Sequence, residues 1–368
     1  MDRSNRKVLV VSNMYPSEKY PHYGIFVKHS ARVLEKAGYR VDTVAMRKTI
    51  GTFKKLLAYL SFYTGVLLKG LFGRYDVIYA HYASHTALPL LILHKLKKIP
   101  ILMNVHGNDV IPETSADEKF QSLVQQVLDV STAVISPSEY FRGCLSERFG
   151  VHADKICVYP SGGVNTDLFC PMPRSQAAAY LNLPERDTYI GYISRLEEKK
   201  GWDLFLQGCH KLLQTNPRLK LVVVGDGDQL PQYQQLVEQL DLSDSIIKYD
   251  LLAQQEIAYI YNLLDVFVFP TYRESESLGL VGLEAMACQT LTILPDRYGP
   301  ASYGIHGKNA LVFRSGDSDS LYETIAAALA EDHTLLCQNA RRTALQYNQN
   351  HTDPILVNFF DSLPFWKD

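Results

Sequence analysis

Residues 266–288 read VFVFPTYRESESLGLVGLEAMAC, and this stretch decides the fold. Its apolar start predicts a buried strand over residues 266–270, and the residues after it predict a glycine-containing turn followed by a helix. This order is typical of a phosphate-binding unit, because the free amides and the positive end of the helix attract an anion. Two carboxylates, Glu276 and Glu284, flank Gly279 and would face the bound ligand. Alternatively, these acids only stabilise the start of a helix.

Short apolar runs of the same kind alternate with helical stretches along the chain. In the first half we predict a helix at residues 24–38 and strands at 7–12, 41–45, 76–81, 99–105, 133–136 and 156–159. In the second half we predict strands at 189–193, 219–224, 245–249, 266–270 and 290–294. This alternation implies parallel sheets with helices on both faces. Ligands of such sheets bind beyond the carboxyl ends of the strands, so functional residues are expected there.

The chain has 368 residues, of which 46% are hydrophobic and 21% charged, a composition typical of globular proteins. This length suits two domains of about 150–200 residues each. The prolines within residues 170–186 place the linker there, so we predict one domain at 1–169 and another at 170–353. The apolar, aromatic residues 354–368 are expected to form a helix that packs back on the first domain.

The formal net charge of −2 hides a strong asymmetry. Residues 1–110 contain 17 Lys and Arg against 6 Asp and Glu. This basic first half suggests an anionic partner or an anionic membrane surface, but a solvated basic face explains it equally well. No nucleic-acid partner is indicated. The six cysteines are scattered without metal-ligand spacing, which favours a reducing, cytoplasmic location.

The apolar run at residues 56–68 is a candidate for membrane contact. It has 13 residues, fewer than the ~20 of a spanning helix, and the start of the chain lacks a signal-peptide pattern. Basic residues flank the run, which fits a helix lying in the membrane interface: Lys54, Lys55, Lys69 and Arg74. A buried core helix has the same composition, so both alternatives stay open.

The stretch from Glu276 onward resembles the donor-site motif of retaining glycosyltransferases of the GT-B fold, specifically glycosyltransferase family 4. The family pattern is roughly E-G-F-G-L-x-x-x-E-A-M-A-C-G-x-P-V, and this chain has ESLGLVGLEAMACQTLT. The match is close up to Cys288 and departs at Gln289 and Leu291, where the family has Gly and Pro.

The resemblance assigns roles to the residues of this motif. It implies that Glu276 holds hydroxyls of the donor sugar and that Glu284 holds the ribose, since a carboxylate can accept from two vicinal hydroxyls. It also implies that backbone amides at the turn bind the donor diphosphate, namely those of Gly279, Leu280 and Val281.

Two further stretches of the second domain resemble family motifs. YISRLEEKKG at residues 192–201 resembles G-R-L-x-x-x-K-G, which implies that Arg195 and Lys200 neutralise the leaving diphosphate. A pair of surface cations is the alternative. LVVVGDGD at residues 221–228 resembles the family's strand-ending L-x-x-x-G-x-G, which places Gly225 in the donor site, although a tight turn explains this glycine as well.

The first domain carries weaker matches. HGND at residues 106–109 resembles the family's H-G-x-D, which implies that His106 lies beside the transferred sugar and Asp109 on the acceptor side. Asp109 could equally cap a helix. The loop before the first helix resembles the family's glycine loop, which implies that Gly24 approaches the donor phosphate and that Tyr23 lies on the acceptor side.

The resemblance implies two Rossmann-like domains facing across a cleft. It also implies sugar transfer from a nucleotide-diphosphate sugar, with UDP favoured over GDP, to a glycan or lipid-linked acceptor with retention. We expect a role in cell-surface polysaccharide biosynthesis, such as capsule or exopolysaccharide, and peripheral association with an anionic membrane. We expect no metal or other cofactor, because Asp226 and Asp228 have DxD spacing only within a structural turn. A non-catalytic sugar-nucleotide-binding subunit and a nucleotide-sugar 2-epimerase are the alternatives.

Overall fold

The computed structural model describes residues 3–21, 23–214, 216 and 218–366. The chain separates into two compact units, one formed by residues up to Gly162 together with those from Asn350 onward, and one formed by Gly163–Gln349. Each unit contains a six-stranded parallel sheet surrounded by helices. The prediction of an α/β protein with two Rossmann-like domains is therefore confirmed.

The sheet of the first unit has the strand order β2-β1-β3-β4-β5-β6. Its strands are β1 (Lys7–Tyr15), β2 (Arg40–Arg47), β3 (Val77–His81), β4 (Ile101–Asn104), β5 (Ala133–Ser136) and β6 (Ile156–Val158). Its helices are α1 (Ile25–Lys36), α2 (Thr52–Phe72), α3 (Ala83–Lys97), α4 (Ser115–Glu118), α5 (Gln121–Val130), α6 (Glu139–Phe149) and α14 (Gln349–Asp361). The order reverses between β1 and β3, which opens a crevice at the carboxyl ends of these two strands.

The central strand β1 is buried on both faces of its sheet. Leu9 and Val11 pack in an apolar cluster with residues of α2 and α3, whereas Val8 and Val10 pack in another cluster with α1 and α14. All four side chains are fully buried. A strand covered on both sides reads as a continuous apolar run, which is why the sequence of β1 shows no alternation.

Helix α14 belongs to the first unit although it lies near the end of the chain. Phe360 is fully buried, and its ring packs edge-on against that of Tyr79, 5.2 Å away. The Asp361 carboxylate accepts hydrogen bonds from Arg6 at 3.2 Å and from Tyr39 at 2.7 Å. The predicted C-terminal segment packs on the first unit in this way, and residues 367 and 368 of that prediction lie outside the described residues.

The sheet of the second unit has the strand order β12-β11-β10-β7-β8-β9. Its strands are β7 (Thr188–Ile193), β8 (Leu219–Val224), β9 (Ile246–Tyr249), β10 (Val266–Val268), β11 (Leu291–Pro295) and β12 (Leu311–Phe313). Its helices are α7 (Arg174–Leu181), α8 (Trp202–Leu213), α9 (Leu230–Gln239), α10 (Gln254–Leu263), α11 (Leu280–Ala287), α12 (Ser318–Ala330) and α13 (Thr334–Gln346). The order reverses between β7 and β10. The sequence analysis did not predict β12, although it predicted β6 and β10, which have three residues each as well.

The boundary between the units differs from the predicted one. The predicted boundary after Phe169 lies too late, because residues 164–169 are bonded to the second unit. The amide of Val164 donates to the carbonyl of Tyr347 at 2.7 Å, and Arg341 donates to the carbonyl of Phe169 at 2.8 Å. The predicted linker at 170–186 instead contains α7, so its prolines border a helix and do not mark a flexible connection.

Helix α2 overturns two expectations about the apolar run at 56–68. It has 21 residues, and it is long and apolar enough to cross a membrane, so the argument from a short run is wrong. The helix continues through the flanking lysines. It is not a buried core helix either, because only Phe62, Val66 and Gly70 are buried.

The opposite side of α2 is apolar and exposed. Helical spacing places its large apolar residues on one side, away from Phe62 and Val66. Their exposed fractions range from 49% to 80%, and we call them the apolar face: Phe53, Leu56, Leu57, Leu60, Leu68 and Phe72.

Candidate active site

In the second unit, the residues predicted to bind the sugar donor lie at the carboxyl ends of β7 and β10. These neighbouring strands lie where the strand order reverses. Arg195 and Lys200 follow β7, and Glu276 follows β10. The two loops are bonded to each other, because the carbonyl of Lys199 accepts from the amide of Tyr272 at 3.0 Å. Open α/β sheets bind ligands at such a point.

Lys200 and Glu276 form an ion pair at the base of this site. The Lys200 Nζ donates to Glu276 Oε2 at 2.6 Å, and the two side chains are only 10% and 11% exposed. Thr271 Oγ1 also donates to Glu276 Oε2, at 3.3 Å. Burial alone would raise the pKa of Glu276, but Lys200, with help from Arg273 and Arg195, holds it below its usual value. Glu276 is therefore an ionised acceptor that suits sugar hydroxyls.

Arg195 belongs to a second charged group, which the sequence analysis missed. Its guanidinium donates to Glu197 at 2.5 Å, and Glu197 also accepts from Arg273 at 3.1 Å. The Arg195 side chain is 62% exposed, whereas that of Arg273 is 16% exposed. Glu197 lies in the run EEKK, which is typical of solvated surface, so the sequence carries no signal for this role.

The start of α11 presents backbone amides. Gly279 precedes the helix with φ 78° and, as a glycine, has no side chain with which to cap it. A Cβ at Gly279 would lie 2.5 Å from the Phe269 ring, so only glycine fits here. Leu280 and Val281 form the first turn, where amides have no partner within the helix. The amides that were predicted to bind the diphosphate therefore lie at the N-terminal, positive end of α11.

Glu284 lies one turn further along α11, near the Tyr261 hydroxyl. That hydroxyl is 3.3 Å from Glu284 Oε2 and 3.1 Å from the carbonyl of Val281. Burial raises the pKa of Glu284 to about 7, which the Tyr261 hydroxyl partly offsets. Burial raises the pKa of Tyr303, and the charges of Glu276 and Glu284 raise it further. The Tyr303 hydroxyl donates to the carbonyl of Gly279 at 2.8 Å.

Gly225 has a structural role in this site. With φ 148°, it lets the loop after β8 approach the loop after β7 so closely that a Cβ would lie 1.9 Å from the carbonyl oxygen of Ser194. Its amide donates to Tyr249 and its carbonyl accepts from Lys248. Its amide is thus already used for the turn, and direct binding of the donor by Gly225 stays a prediction.

In the first unit, His106 lies just beyond β4 among aromatic rings. Its ring is 4.5 Å from that of Phe26, 4.9 Å from that of Tyr82 and 5.2 Å from that of His81. Burial lowers the pKa of His106 to about 3, so its imidazole is neutral at physiological pH. A neutral imidazole can exchange hydrogen bonds with a sugar but carries no charge.

Asp109 is not an acceptor-side residue. Its side chain has no exposed surface, and its oxygens accept from the amides of His106, Gly107 and Ala83 at 2.8–3.1 Å. With no exposed surface, its oxygens are not open to a substrate. Asp109 therefore shapes the loop that carries His106, and the capping alternative is closer to what the structure shows.

Gly24 and Tyr23 lie in the loop between β1 and α1. Gly24 has φ 72°, and a Cβ there would lie 2.6 Å from the carbonyl carbon of Met14. This loop therefore crosses the end of β1 at close range. Tyr23 is half-buried, and burial, with a smaller contribution from Tyr59, raises its pKa.

Two cavities lie near the sheet edges. One, of about 670 Å³, opens in the first unit beyond β1 and β2, and its lining includes Tyr15 and the cations Lys19, Lys28 and Arg47. The other, of about 700 Å³, lies in the second unit beside the first residues of β7, β10 and β11. It lies at the opposite edge of the sheet from Lys200 and Glu276. Within the described residues, no group of three or more His, Cys, Asp and Glu could hold a metal ion.

Two family profiles match consecutive parts of the chain. "Glycosyltransferase Family 4" matches residues 7–168, and "Glycosyl transferases group 1" matches residues 174–349. A protein named D-inositol 3-phosphate glycosyltransferase from Stackebrandtia nassauensis is 26% identical over 79% of this chain and 69% of its own. One of the same name from Kineococcus radiotolerans is 29% identical over 74% and 66%. A third protein of this name, from Segniliparus rotundus, is 26% identical over 59% of this chain and 50% of its own.

Solved structures share the fold of the whole chain. Sucrose-phosphate synthase from Thermosynechococcus elongatus has a TM-score of 0.84 with 20% identity, covering 98% of this chain and 99% of its own. HepE from Anabaena, in complex with UDP and glucose, has a TM-score of 0.75 with 18% identity, covering 98% and 100%. At this identity the likeness shows the fold alone. With both profiles matched and the fold shared, the chain belongs to the group 1 glycosyltransferases of the GT-B fold and is a transferase enzyme.

Proposed function

We propose that this enzyme transfers a sugar from a UDP-sugar, in preference to a GDP-sugar, to a glycan or lipid-linked acceptor with retention of the anomeric configuration. We place it in cell-surface polysaccharide biosynthesis, such as capsule or exopolysaccharide. The observation that carries the proposal is the buried Lys200–Glu276 pair at the carboxyl ends of β7 and β10. It joins a cation for the diphosphate to an ionised acceptor for the sugar. HepE, with UDP and glucose, supports the choice of UDP.

The proposed chemistry is electrostatic. The bond from the anomeric carbon to the diphosphate breaks, and the acceptor oxygen forms its bond on the same face. The acceptor proton passes to the departing phosphate. Lys200, Arg195 and the backbone amides at the start of α11 stabilise the negative charge that develops on the diphosphate. These cations take the place of a metal, so we expect the transfer rate to be unchanged by excess EDTA.

Calorimetric titration with UDP, GDP and their glucose conjugates tests the donor half of this proposal. We expect tight binding of UDP without added metal and at least tenfold weaker binding to Lys200→Ala. Lys211→Ala is the matched control, because Lys211 pairs with Asp319 on exposed surface. Product analysis by NMR should show an α-linkage from an α-configured donor. Failure of the folded protein to bind UDP, or a β-linked product, would contradict the proposal.

The acceptor is proposed to carry an anionic group. The cavity beyond β1 and β2 has three cations in its lining, Lys19, Lys28 and Arg47, against one acid, Glu18. The curated relatives are named for inositol 3-phosphate, an acceptor with a phosphate. Calorimetry with D-inositol 3-phosphate as probe should show binding that Lys28→Ala and Arg47→Ala each weaken. Equal binding of unphosphorylated inositol would contradict an anion-selective site.

We also propose that the apolar face of α2 docks on the anionic cytoplasmic surface of a membrane. Phe62 and Val66 hold the other side of the helix in the core of the first unit, so α2 lies along a membrane and does not cross it. Lys54, Lys55 and Lys69 lie on the same helix and suit anionic headgroups. A lipid-linked acceptor would then meet the enzyme at its own surface.

Co-sedimentation with vesicles of phosphatidylglycerol and phosphatidylcholine tests this docking. Leu56 and Leu60 are 65% and 64% exposed, so burying the rest of each side chain in lipid would contribute roughly 1–2 kcal/mol of binding free energy. The variant Leu56→Ser/Leu60→Ser should therefore lose most vesicle binding. Leu251→Ser/Leu335→Ser is the control, because these leucines are 76% and 68% exposed in the second unit. Equal loss in both variants, or no binding by the native protein, refutes the docking face.

A further inference from the structure

A second buried histidine supports His106. His81 is the last residue of β3 and is 1% exposed, and its ring lies edge to edge with that of His106, with an angle of only 14° between the two ring planes. Its Nδ1 is 3.0 Å from His106 Nε2. The sequence analysis treated His81 only as the end of a strand, and no role proposed above uses it.

A serine on α1 completes a chain of three polar groups. His81 Nε2 lies 3.3 Å from the Ser30 hydroxyl oxygen, and that hydroxyl lies 3.1 Å from the carbonyl oxygen of Val27. The carbonyl can only accept, and a serine hydroxyl has a single proton to give. With that proton donated to Val27, Ser30 accepts from His81 Nε2.

The direction of the other hydrogen bonds follows from the role of Ser30 as an acceptor. Because His81 donates through Nε2, its Nδ1 carries a lone pair and must accept. His106 therefore donates through Nε2, and its own Nδ1 carries a lone pair. Among the residues that the structure describes, this Nδ1 has no hydrogen-bond partner, whereas the other three ring nitrogens are used.

The groups around the two rings favour neutral imidazoles. Phe26 and Ser30 face them from α1, Tyr79 from β3 and Tyr82 from the loop after it. The carboxylate of Asp109, on the same loop as His106, is bonded to backbone amides. Burial and the neighbouring His106 hold the pKa of His81 well below 6.5, and burial lowers that of His106.

We propose that Ser30 and His81 are positioning residues that fix His106 as the neutral Nε2–H tautomer, so that Nδ1 accepts a hydrogen bond from a sugar hydroxyl. The tautomer is a property of the free protein and holds whatever the donor. Its use in catalysis rests on the sugar transfer proposed above. A histidine in the opposite tautomer would present a donor at Nδ1 and would lose this hydrogen bond.

The tautomer can be read directly by long-range ¹H–¹⁵N NMR of the full chain labelled with ¹⁵N-histidine. The His106 signals are assigned by their loss in His106→Gln. We expect a protonated Nε2 and an unprotonated Nδ1 from pH 5 to pH 8. An Nδ1–H tautomer or an imidazolium ring at pH 7 overturns the proposal, and this result needs no activity.

The hydrogen bonds from His106 through His81 to Ser30 form what we call the relay, and Ser30→Ala tests it kinetically. Without the serine acceptor, His81 can turn its proton toward His106, so the His106 tautomer should shift and kcat should fall roughly tenfold, the value of one hydrogen bond of about 1.4 kcal/mol. KM for the donor should change less than twofold. Ser131→Ala is the matched control, because Ser131 is also buried and donates to the carbonyl of Val127 in the preceding turn.

The outcomes separate this inference from the proposed function. If Ser30→Ala keeps the native tautomer and the kcat of Ser131→Ala, the relay is refuted while sugar transfer stands. If the native protein transfers no sugar but shows the Nε2–H tautomer, the proposed function fails and the relay stands. Should Ser30→Ala fail to fold, the spectrum of the native protein still decides the tautomer.

Discussion

Protonation of Glu284 should control the affinity for a nucleotide sugar near neutral pH. Burial raises the pKa of this carboxyl to about 7. Only the ionised form can accept hydrogen bonds from both ribose hydroxyls with both oxygens. About one molecule in eleven is ionised at pH 6 and about ten in eleven at pH 8, so the affinity should rise about tenfold, or ~1.4 kcal/mol.

The assay is calorimetric titration with UDP-glucose between pH 5.5 and 8.5. UDP-glucose is preferred to UDP, because a terminal phosphate with a pKa near 6 would add its own pH dependence. Glu284→Gln should bind more weakly than the native protein at pH 8 and show no pH dependence. Tyr261→Phe removes the hydroxyl that lowers the pKa of Glu284, so its midpoint should move to higher pH.

The raised pKa of Glu284 also predicts how the free energy of unfolding changes with pH in the absence of ligand. The Glu284 pKa is higher in the folded than in the unfolded protein, so the folded state binds the proton more tightly. The free energy of unfolding should then fall by roughly 3 kcal/mol as pH rises from about 4.5 to 7. Glu284→Gln should lack this fall. If native and variant proteins show the same pH profile in both affinity and stability, the raised pKa of Glu284 is refuted.

Three other substitutions have defined outcomes in denaturant unfolding. Lys200→Ala leaves Glu276, which is 11% exposed, without its hydrogen-bonded cation and with only Arg273 and Arg195 to offset its charge, so it should cost up to about 3–5 kcal/mol, and adding Glu276→Gln should restore part of this stability. Gln289→Gly should stabilise by about 0.5–1 kcal/mol, because Gln289 has φ 60°; a loss of stability would contradict this. Gly24→Ala should cost at least ~2 kcal/mol, because its Cβ would lie 2.6 Å from Met14, and a neutral result would mean that the loop is not held there.

The fold could be predicted from the sequence because buried parallel strands leave a plain signal. β5 and β8 were predicted to the residue, since each is a short apolar run with sharp ends. The positive φ of Gln289 shows why the family has glycine there, so this departure alters a turn and leaves the strand path after it intact. By contrast, β12 was missed, although its three residues are no fewer than those of the predicted strands β6 and β10.

The site could be predicted only in part, because pattern identifies residue types and not their partners. Lys200 and Glu276 were each predicted to bind donor, but nothing in their spacing of 76 residues shows that they bond to each other. Glu197 and Arg273 were missed for the same reason. Asp109 was misassigned because a buried carboxylate that binds amides and one that faces a substrate share the same motif.

The placement of α14 has a consequence for how the protein is made. Phe360 is fully buried beside β1 and β3, yet it is synthesised more than 270 residues after Tyr79, its ring neighbour. The second unit is continuous in sequence and can complete its core on the ribosome, whereas the first must wait with one side of its sheet only partly covered, by α1. A nascent chain stalled before residue 349 should therefore expose this apolar surface to chaperones and proteases. A stop codon a few residues before α14 would release a chain in which the first-made half is the unfinished one.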